Sequence, residues 1–210
     1  MTRVLLLDDH PAVAEGMRAL LSKEPTIEVV AVAQTGERAL ELARSERPEV
    51  ALLDIDLPGH DGLETGERLL GEHATLRLIY FSMYANPVFV LRALALGAKG
   101  YLLKEEPAHE VANAIRKVAE GSHGFSEPIL RIASAMGCVD GSEPVLSERE
   151  REVVLRMARG QSLGALAAGL GITRGTVRIL WGRAQRKLGL RSFGSGLFTA
   201  SLTKKEPGER

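Results

Sequence analysis

The sequence predicts a doubly wound α/β domain with a five-stranded parallel sheet, followed by a small all-α helix-turn-helix domain. Three observations predict it. Five short apolar runs alternate with five segments of helical period over about the first 120 residues. Such alternation builds a parallel sheet with helices on both faces and right-handed crossovers. The central run, Val50-Ala51-Leu52-Leu53, leads straight into Asp54 and is stopped by Pro58-Gly59, as in a strand buried on both faces. Charge also inverts along the chain: residues 1–145 carry 14 Lys and Arg against 22 Asp and Glu, residues 146–210 carry 13 against 5. An acidic front and a basic back suggest two units, the second suited to a polyanion.

Val4–Leu7 is the first strand and ends in Asp8-Asp9-His10. Pro11 suits a first helical turn, and Ala12, Val13, Met17, Leu20 and Leu21 recur at helical spacing down to Pro25. The β-branched run Ile27–Ala33 is the second strand. A helix from Thr35 or Gly36 then carries Ala39, Leu40, Leu42 and Ala43 until Pro48 closes it. The third strand delivers Asp54 to its carboxyl end, where open α/β sheets place their chemistry. Asp61-Gly62 opens a helix to about His73, and Leu76–Phe81 is the fourth strand, ending at Ser82. Pro87 starts a helix through Ala95 that Gly97 is placed to end. Gly100–Leu103 is the fifth strand, ending at Lys104, and Pro107 starts a helix through Val111, Ile115 and Val118 to Gly121. Residues 122–145, interrupted by Gly124, Pro128, Gly137, Gly141 and Pro144, read as a connector with room for a short helix over Ile129–Met136.

In the basic part, Ser147 and Glu150 have the spacing of a capping box, and Val153, Val154, Leu155, Met157 and Ala158 form a core stripe that Gly160 ends. Leu163–Leu170 is a short helix, Gly171-Ile172 a tight turn, and Thr173 caps a longer helix to Leu188. Val177, Trp181, Ala184 and Leu188 fall on one face of that helix, and Arg178, Ile179, Gly182, Arg183 and Arg186 on the other. Two helices joined by a glycine-containing turn, the second studded with arginine, make a helix-turn-helix signature. After Arg191 the tail is rich in Gly and Ser and then charged; a helix over Leu197–Leu202 and disordered last residues are expected.

An apolar content of 45% with 26% charged residues fits a soluble globular protein and excludes fibrous or low-complexity classes. Cys138 is the single cysteine, so an internal disulfide is excluded and a reducing compartment fits. The first apolar run is too short for a signal peptide or a membrane span and is closed by acids. The expected location is cytoplasmic, away from the membrane.

Asp54 alone would read as a residue starting a turn; three other strand ends give it company. A sheet of this order places Asp8-Asp9, Asp54, Ser82 and Lys104 at one edge. Close carboxylates repel and need a cation, and oxygen-only ligands favour Mg²⁺ or Mn²⁺, which also binds phosphate oxygens. Asp54, the central carboxylate, suits nucleophilic attack on phosphorus; Lys104 offers a point charge and Ser82 a hydroxyl for a phosphoryl group.

Asp8-Asp9, the run Leu52-Leu53-Asp54-Ile55-Asp56-Leu57-Pro58 with Asp61-Gly62, Ser82, and Lys99-Gly100-Tyr101 with Lys104 resemble the receiver domain of two-component response regulators, over roughly residues 1–121. Residues 146–191 resemble the LuxR-type helix-turn-helix, and the pairing resembles the NarL/FixJ subfamily. The resemblance implies a flavodoxin-like receiver at 1–121, a connector at 122–145 and a DNA-binding domain with a flexible tail at 146–210. It implies that a cognate histidine kinase phosphorylates Asp54, without catalytic turnover of a substrate by this chain. Asp9 and Asp54 would ligate Mg²⁺ directly, Asp8 through water, and Asp56 through its backbone carbonyl. Lys104 and Ser82 would hold the phosphoryl group, and Ser82 with Tyr101 would be the switch pair, the ring turning inward when Ser82 moves. Asp56 and Tyr84 resemble positions that tune phosphoryl lifetime, while His10, His60 and Asp61 are expected to be structural or solvated.

The implied partners of the basic part are double-stranded DNA and, on activation, a second copy of the chain. Thr176, Arg178, Ile179, Arg183, Arg186 and Lys187 are the expected DNA contacts, with Arg178 suited to a guanine edge and Ile179 to a thymine methyl. This chain departs from the pattern at Gly164-Ala165, where a Lys-Glu pair is usual, and at Ile179, Leu180 and Gly182, where polar or basic residues are usual. Gly164 and Gly169 each cost the helix about 1 kcal/mol relative to Ala. Two alternatives follow. The degenerate helix-turn-helix could serve as a protein-interaction module. Asp54-Ile55-Asp56 also resembles the motif of haloacid-dehalogenase-type phosphatases, although that motif normally follows the first strand and here follows the third.

Overall fold

A computed structural model describes residues 1–57, 60–83, 85–139, 141 and 144–189. They form two compact units, residues 1–85 with 96–130 and residues 86–95 with those from 131 onward. The expected features at Pro58-Gly59, Tyr84, Arg191 and Leu197–Leu202 lie outside the described residues.

In the first unit β1 (Thr2–Leu7), α1 (Pro11–Leu21), β2 (Ile27–Ala33), α2 (Gly36–Glu46) and β3 (Val50–Asp54) follow the predicted alternation. A two-residue antiparallel pair, β4 (Asp56–Leu57) with β5 (His60–Asp61), precedes α3 (Gly62–Glu72) and β6 (Arg77–Ser82). Next come α4 (Pro87–Ala95), which groups with the second unit, then β7 (Gly100–Leu103), α5 (Ala108–Ala119), β8 (Gly124–Phe125) and α6 (Glu127–Ala135), which the boundary after residue 130 divides between the units. The sheet order is β2-β1-β3-β6-β7-β8, every pair parallel. Every residue of β3 is buried, as a strand covered on both faces requires. Val4, Leu6, Val50, Leu52, Ile79 and Phe81 meet Leu21 of α1 and Val111, Ile115 and Val118 of α5. The alternate side chains face α2 and α3, where the Tyr80 hydroxyl reaches Gly66. Each fully buried Leu or Ile contributes about 1.5–3 kcal/mol.

The sheet has a sixth strand where a connector was expected. Gly124 and Phe125 pair with Gly100 and Tyr101, and the Ser126 amide donates to the Tyr101 carbonyl at 3.0 Å. Two residues carry no periodicity, so this strand is held by backbone hydrogen bonds that no hydropathy pattern reveals.

In the second unit, α7 (Glu148–Ala158) and α9 (Arg174–Lys187) begin at the expected hydroxyl caps, Ser147 and Thr173, and α8 (Leu163–Leu170) begins at a third, Ser162, that the sequence reading had not named. The capping box of Ser147 and Glu150 is complete, and Gly171 ends α8 at φ 63°. Val153, Val154, Met157, Leu166, Val177 and Trp181 are buried together. The glycines of α8 make room for arginines: a Cβ on Gly164 would stand 2.9 Å from Arg174 Nη2, and one on Gly169 would stand 3.0 Å from Arg156 Nη1. Among the described residues no single helix is long and apolar enough to cross a membrane.

Candidate functional site

Because β1, β3, β6 and β7 run parallel, their carboxyl ends share one edge, and each contributes a polar side chain there. Asp8 follows β1, Asp54 ends β3, Ser82 ends β6 and Lys104 follows β7; Asp8, Asp54 and Ser82 are buried. The Lys104 ammonium lies between two carboxylates, 2.7 Å from Asp8 Oδ2 and 2.7 Å from Asp54 Oδ2, and its own amide donates to the Ser82 carbonyl at 2.8 Å. Asp9 stands beside them. Ligand atoms of Asp8, Asp9, His10 and Asp54 all lie within 4.8 Å of one another.

The charges in this cluster do not balance. Burial pushes the Asp54 carboxyl above its usual value, and the Lys104 ammonium and the Asp56 amide pull it down without cancelling that push. Burial acts to lower Lys104, but Asp54 and Asp8 outweigh it, so the ammonium titrates above its ordinary value. Asp9 Oδ1 is buried and, among the described residues, accepts no hydrogen bond, although His10 Nδ1 approaches it to 2.8 Å. Three carboxylates against one ammonium, with an oxygen left unbonded, fit a hard cation such as Mg²⁺.

Gly62 explains part of the motif. A Cβ there would lie 1.9 Å from the Asp54 carbonyl oxygen, so only glycine lets α3 start against the end of β3. Its amide donates to the Ile55 carbonyl at 3.1 Å. The Asp56 side chain is exposed, and its amide donates to Asp54 Oδ1 at 3.2 Å. Tyr101 already sits inward: its ring is buried, its hydroxyl is hydrogen-bonded to Ser82, and burial pushes it up to about 12.

Two residues join the site that the sequence left aside. His10, expected to be structural or solvated, contributes to the carboxylate cluster; its adjacency to Asp8-Asp9 was the available signal. Ser126, buried in the connector, accepts the Leu103 amide on its hydroxyl at 3.1 Å, and nothing in its sequence surroundings marks it.

A second surface lies on α9. Thr176, Arg178, Ile179, Arg183 and Arg186 are exposed on it, while Val177, Trp181 and Ala184 are buried. Lys187 is engaged differently: its ammonium is 2.6 Å from Glu150 Oε2, a carboxylate that also accepts the Ser147 amide at 2.8 Å. That pair ties the start of α7 to the end of α9.

Comparison with known proteins bears on both surfaces. The family model of the response regulator receiver domain matches residues 4–116, and that of the bacterial regulatory proteins, luxR family, matches residues 144–193. The nitrate/nitrite response regulator protein NarL of Escherichia coli strain K12 is 34% identical, over 90% of this chain and 90% of its own. The transcriptional regulatory protein DesR of Bacillus subtilis strain 168 is 33% identical, over 85% of each. Among solved structures, a LuxR-family two-component response regulator from Aurantimonas sp. SI85-9A1 is 33% identical with a TM-score of 0.57, covering 61% of this chain and 91% of that one. The response regulator RcsB in complex with DNA aligns over 97% of this chain and 99% of its own with a TM-score of 0.64; at 22% identity this is a likeness of fold.

Proposed function

The chain belongs to the two-component response regulators that join a receiver domain to a LuxR-type DNA-binding domain, and on that premise we propose that Asp54 accepts a phosphoryl group from a histidine kinase and that this gain controls DNA binding by α9. The observation that carries the proposal is the Lys104 ammonium between Asp54 and Asp8, 2.7 Å from each, in a cluster still short of positive charge. An Asp54 carboxylate oxygen attacks the phosphorus of a phosphohistidine. The new P–O bond forms as the P–N bond breaks, and the imidazole leaves with the electron pair. Lys104 then follows the phosphoryl oxygens. The Ser82 hydroxyl turns from Tyr101 toward them, which makes Ser82 and Tyr101 the switch pair. Asp9 and Asp54 would hold Mg²⁺ directly, Asp8 through water and Asp56 through its carbonyl. When bound, the ion neutralises charge on the transferred group.

On α9, Thr176, Arg178, Ile179, Arg183 and Arg186 form the DNA-facing set, and Lys187, held by Glu150, is left out of it. Residues 1–121 act as the phosphoacceptor and 146–210 as its output, joined by 122–145, in a cytoplasmic protein that dimerises on activation to present two such helices. The phosphatase alternative has no support in the family matches.

Intact mass after treatment with acetyl phosphate and Mg²⁺ tests the receiver chemistry. The wild type gains one phosphoryl group and Asp54→Asn gains none; an equal gain in both would place the acceptor elsewhere. Gel shifts of genomic fragments with the two proteins then test whether the gain reaches the DNA.

A further inference from the structure

The strands that carry Asp54 and Ser82 at their carboxyl ends border a different chemistry at their amino ends. There Val50 of β3 pairs with Arg77 of β6, and the Arg77 amide donates to the Glu49 carbonyl at 3.0 Å. Beside that pair a cavity of about 590 Å³ is lined by Arg44, Arg47 and Arg77, with Glu49, His73 and Thr75. Residues 1–145 carry fewer cations than acids, 14 against 22, yet around this cavity three arginines stand with one glutamate. Arg44 is engaged, its guanidinium forked onto Glu72 at 2.8 and 2.9 Å. The side chains of Arg47, Arg77 and Thr75 have no hydrogen-bond or ion-pair partner among the described residues. The His73 Nε2 atom is buried and lacks a hydrogen-bond partner too, and a buried polar atom left so calls for one. Arg47 stands at φ 48°, the one non-glycine residue at positive φ among the described residues. Glycine or asparagine usually fills that place after a helix, so the arginine is kept there against the preference of its backbone. Cations near the end of α2 suit its dipole, which accounts in part for Arg44 and Arg47 but not for Arg77, which opens a strand.

We propose that this cavity binds a sugar phosphate, with Arg47, Arg77 and the Thr75 hydroxyl holding the phosphate and Glu49 the sugar hydroxyls. Two guanidiniums without carboxylate partners offer forked N–H donors, the geometry that phosphate oxygens accept. Glu49 Oε1 accepts the Arg3 amide at 3.3 Å, which leaves Oε2 to accept from a hydroxyl of the ligand. A carboxylate repels a bare anion, so its place beside the arginines selects a ligand that carries hydroxyls next to its charge. The volume lies within the range of small-molecule sites and exceeds what a lone phosphate fills. The cavity lies at the end of the sheet opposite Asp54, so it takes no part in the phosphoryl chemistry proposed above.

The test is isothermal titration of the full-length protein in EDTA, at one ionic strength, with ribose 5-phosphate, inorganic phosphate and ribose as probes. Ribose 5-phosphate binds once per chain, inorganic phosphate binds about tenfold more weakly, and ribose gives no heat. Arg77→Gln and Arg47→Gly each weaken ribose 5-phosphate by about tenfold, the loss of one charge-assisted contact. Glycine suits φ 48°, so Arg47→Gly keeps or raises the melting temperature while it loses affinity, which a purely structural arginine would not do. Asp54→Asn binds as the wild type does. Ribose 5-phosphate without heat at millimolar concentration overturns the site. Wild-type affinity in both arginine variants, or its loss in Asp54→Asn, places the ligand elsewhere and overturns it as well. Inorganic phosphate as tight as ribose 5-phosphate overturns the sugar phosphate as the ligand. None of these outcomes bears on whether Asp54 is phosphorylated.

Discussion

Two lysines, one in each unit, reach buried carboxylates at nearly the same distance, Lys104 to Asp54 at 2.7 Å and Lys187 to Glu150 at 2.6 Å. The carboxylates respond in opposite directions. Asp54 is raised by its burial in spite of Lys104. Burial also acts to raise Glu150, but Lys187 and the Ser147 donors outweigh it and hold the carboxyl below its ordinary value. What differs is how many acids share the cation. Lys104 is divided between Asp8 and Asp54 with Asp9 beside them, whereas Glu150 has Lys187 and the Ser147 amide to itself. A short ion pair therefore says little by its length. The under-neutralised cluster fits a metal ion, and the satisfied pair fastens two helices.

Removing one partner of each ion pair has the largest expected effect. Lys104→Ala leaves two buried carboxylates without their ammonium and lowers the stability of the sheet unit by about 3 kcal/mol in chelator. Adding Mg²⁺ restores most of it, as read by urea unfolding; a variant indifferent to Mg²⁺ would show that the acids do not form a cation site. Glu150→Ala removes the capping carboxylate and strands Lys187. It costs the helical unit about 2 kcal/mol, with no response to Mg²⁺ in the same measurement.

The pH dependence separates the pair by sign. Glu150, lowered from 4.5, contributes stability that is present above that value and lost as pH falls through its folded value, so acid melts of the helical unit steepen there and Glu150→Gln flattens them. Asp54 is raised from 3.8, so ionising it costs the fold stability as pH climbs past that value, and the cost persists at neutral pH. Asp54→Asn should accordingly raise the melting temperature of the sheet unit at neutral pH, measured by calorimetry; a drop would mean that the lost attraction to Lys104 exceeds the relief of burial. The smallest effect is expected at Gly164→Ala. There a helix gain of at most about 1 kcal/mol is set against shifting the Arg174 guanidinium, whose Nη2 would stand 2.9 Å from the new Cβ, and the melting temperature of the helical unit should shift little.

The placement of the side chains at the sheet edge was legible because the backbone fixes it. An apolar run that ends in Asp54, Ser82 or Lys104 has only one end of a parallel strand on which to put that residue. The caps of α7 and α9 were legible for the same local reason. What escaped were relations between side chains distant in sequence. The ion pair of Lys187 with Glu150, 37 residues earlier, is one such relation. The glycines of α8 looked like a pure loss of helix stability until Arg156 and Arg174 were found beside them. β8 was missed because two residues cannot show a period; Tyr101 was named with Ser82, but that its ring already sits inward depends on the hydroxyl of Ser82 on the neighbouring strand.

That sixth strand also settles how the chain leaves the sheet. Gly124 and Phe125 are stitched to Gly100 and Tyr101, and the Ser126 hydroxyl holds the amide of Leu103, the residue before Lys104. The exit of the first unit is thus moored to the strand whose end carries the lysine and whose middle carries the tyrosine. The first length of the tether is bonded to the strand itself, as a rope is tied to a cleat.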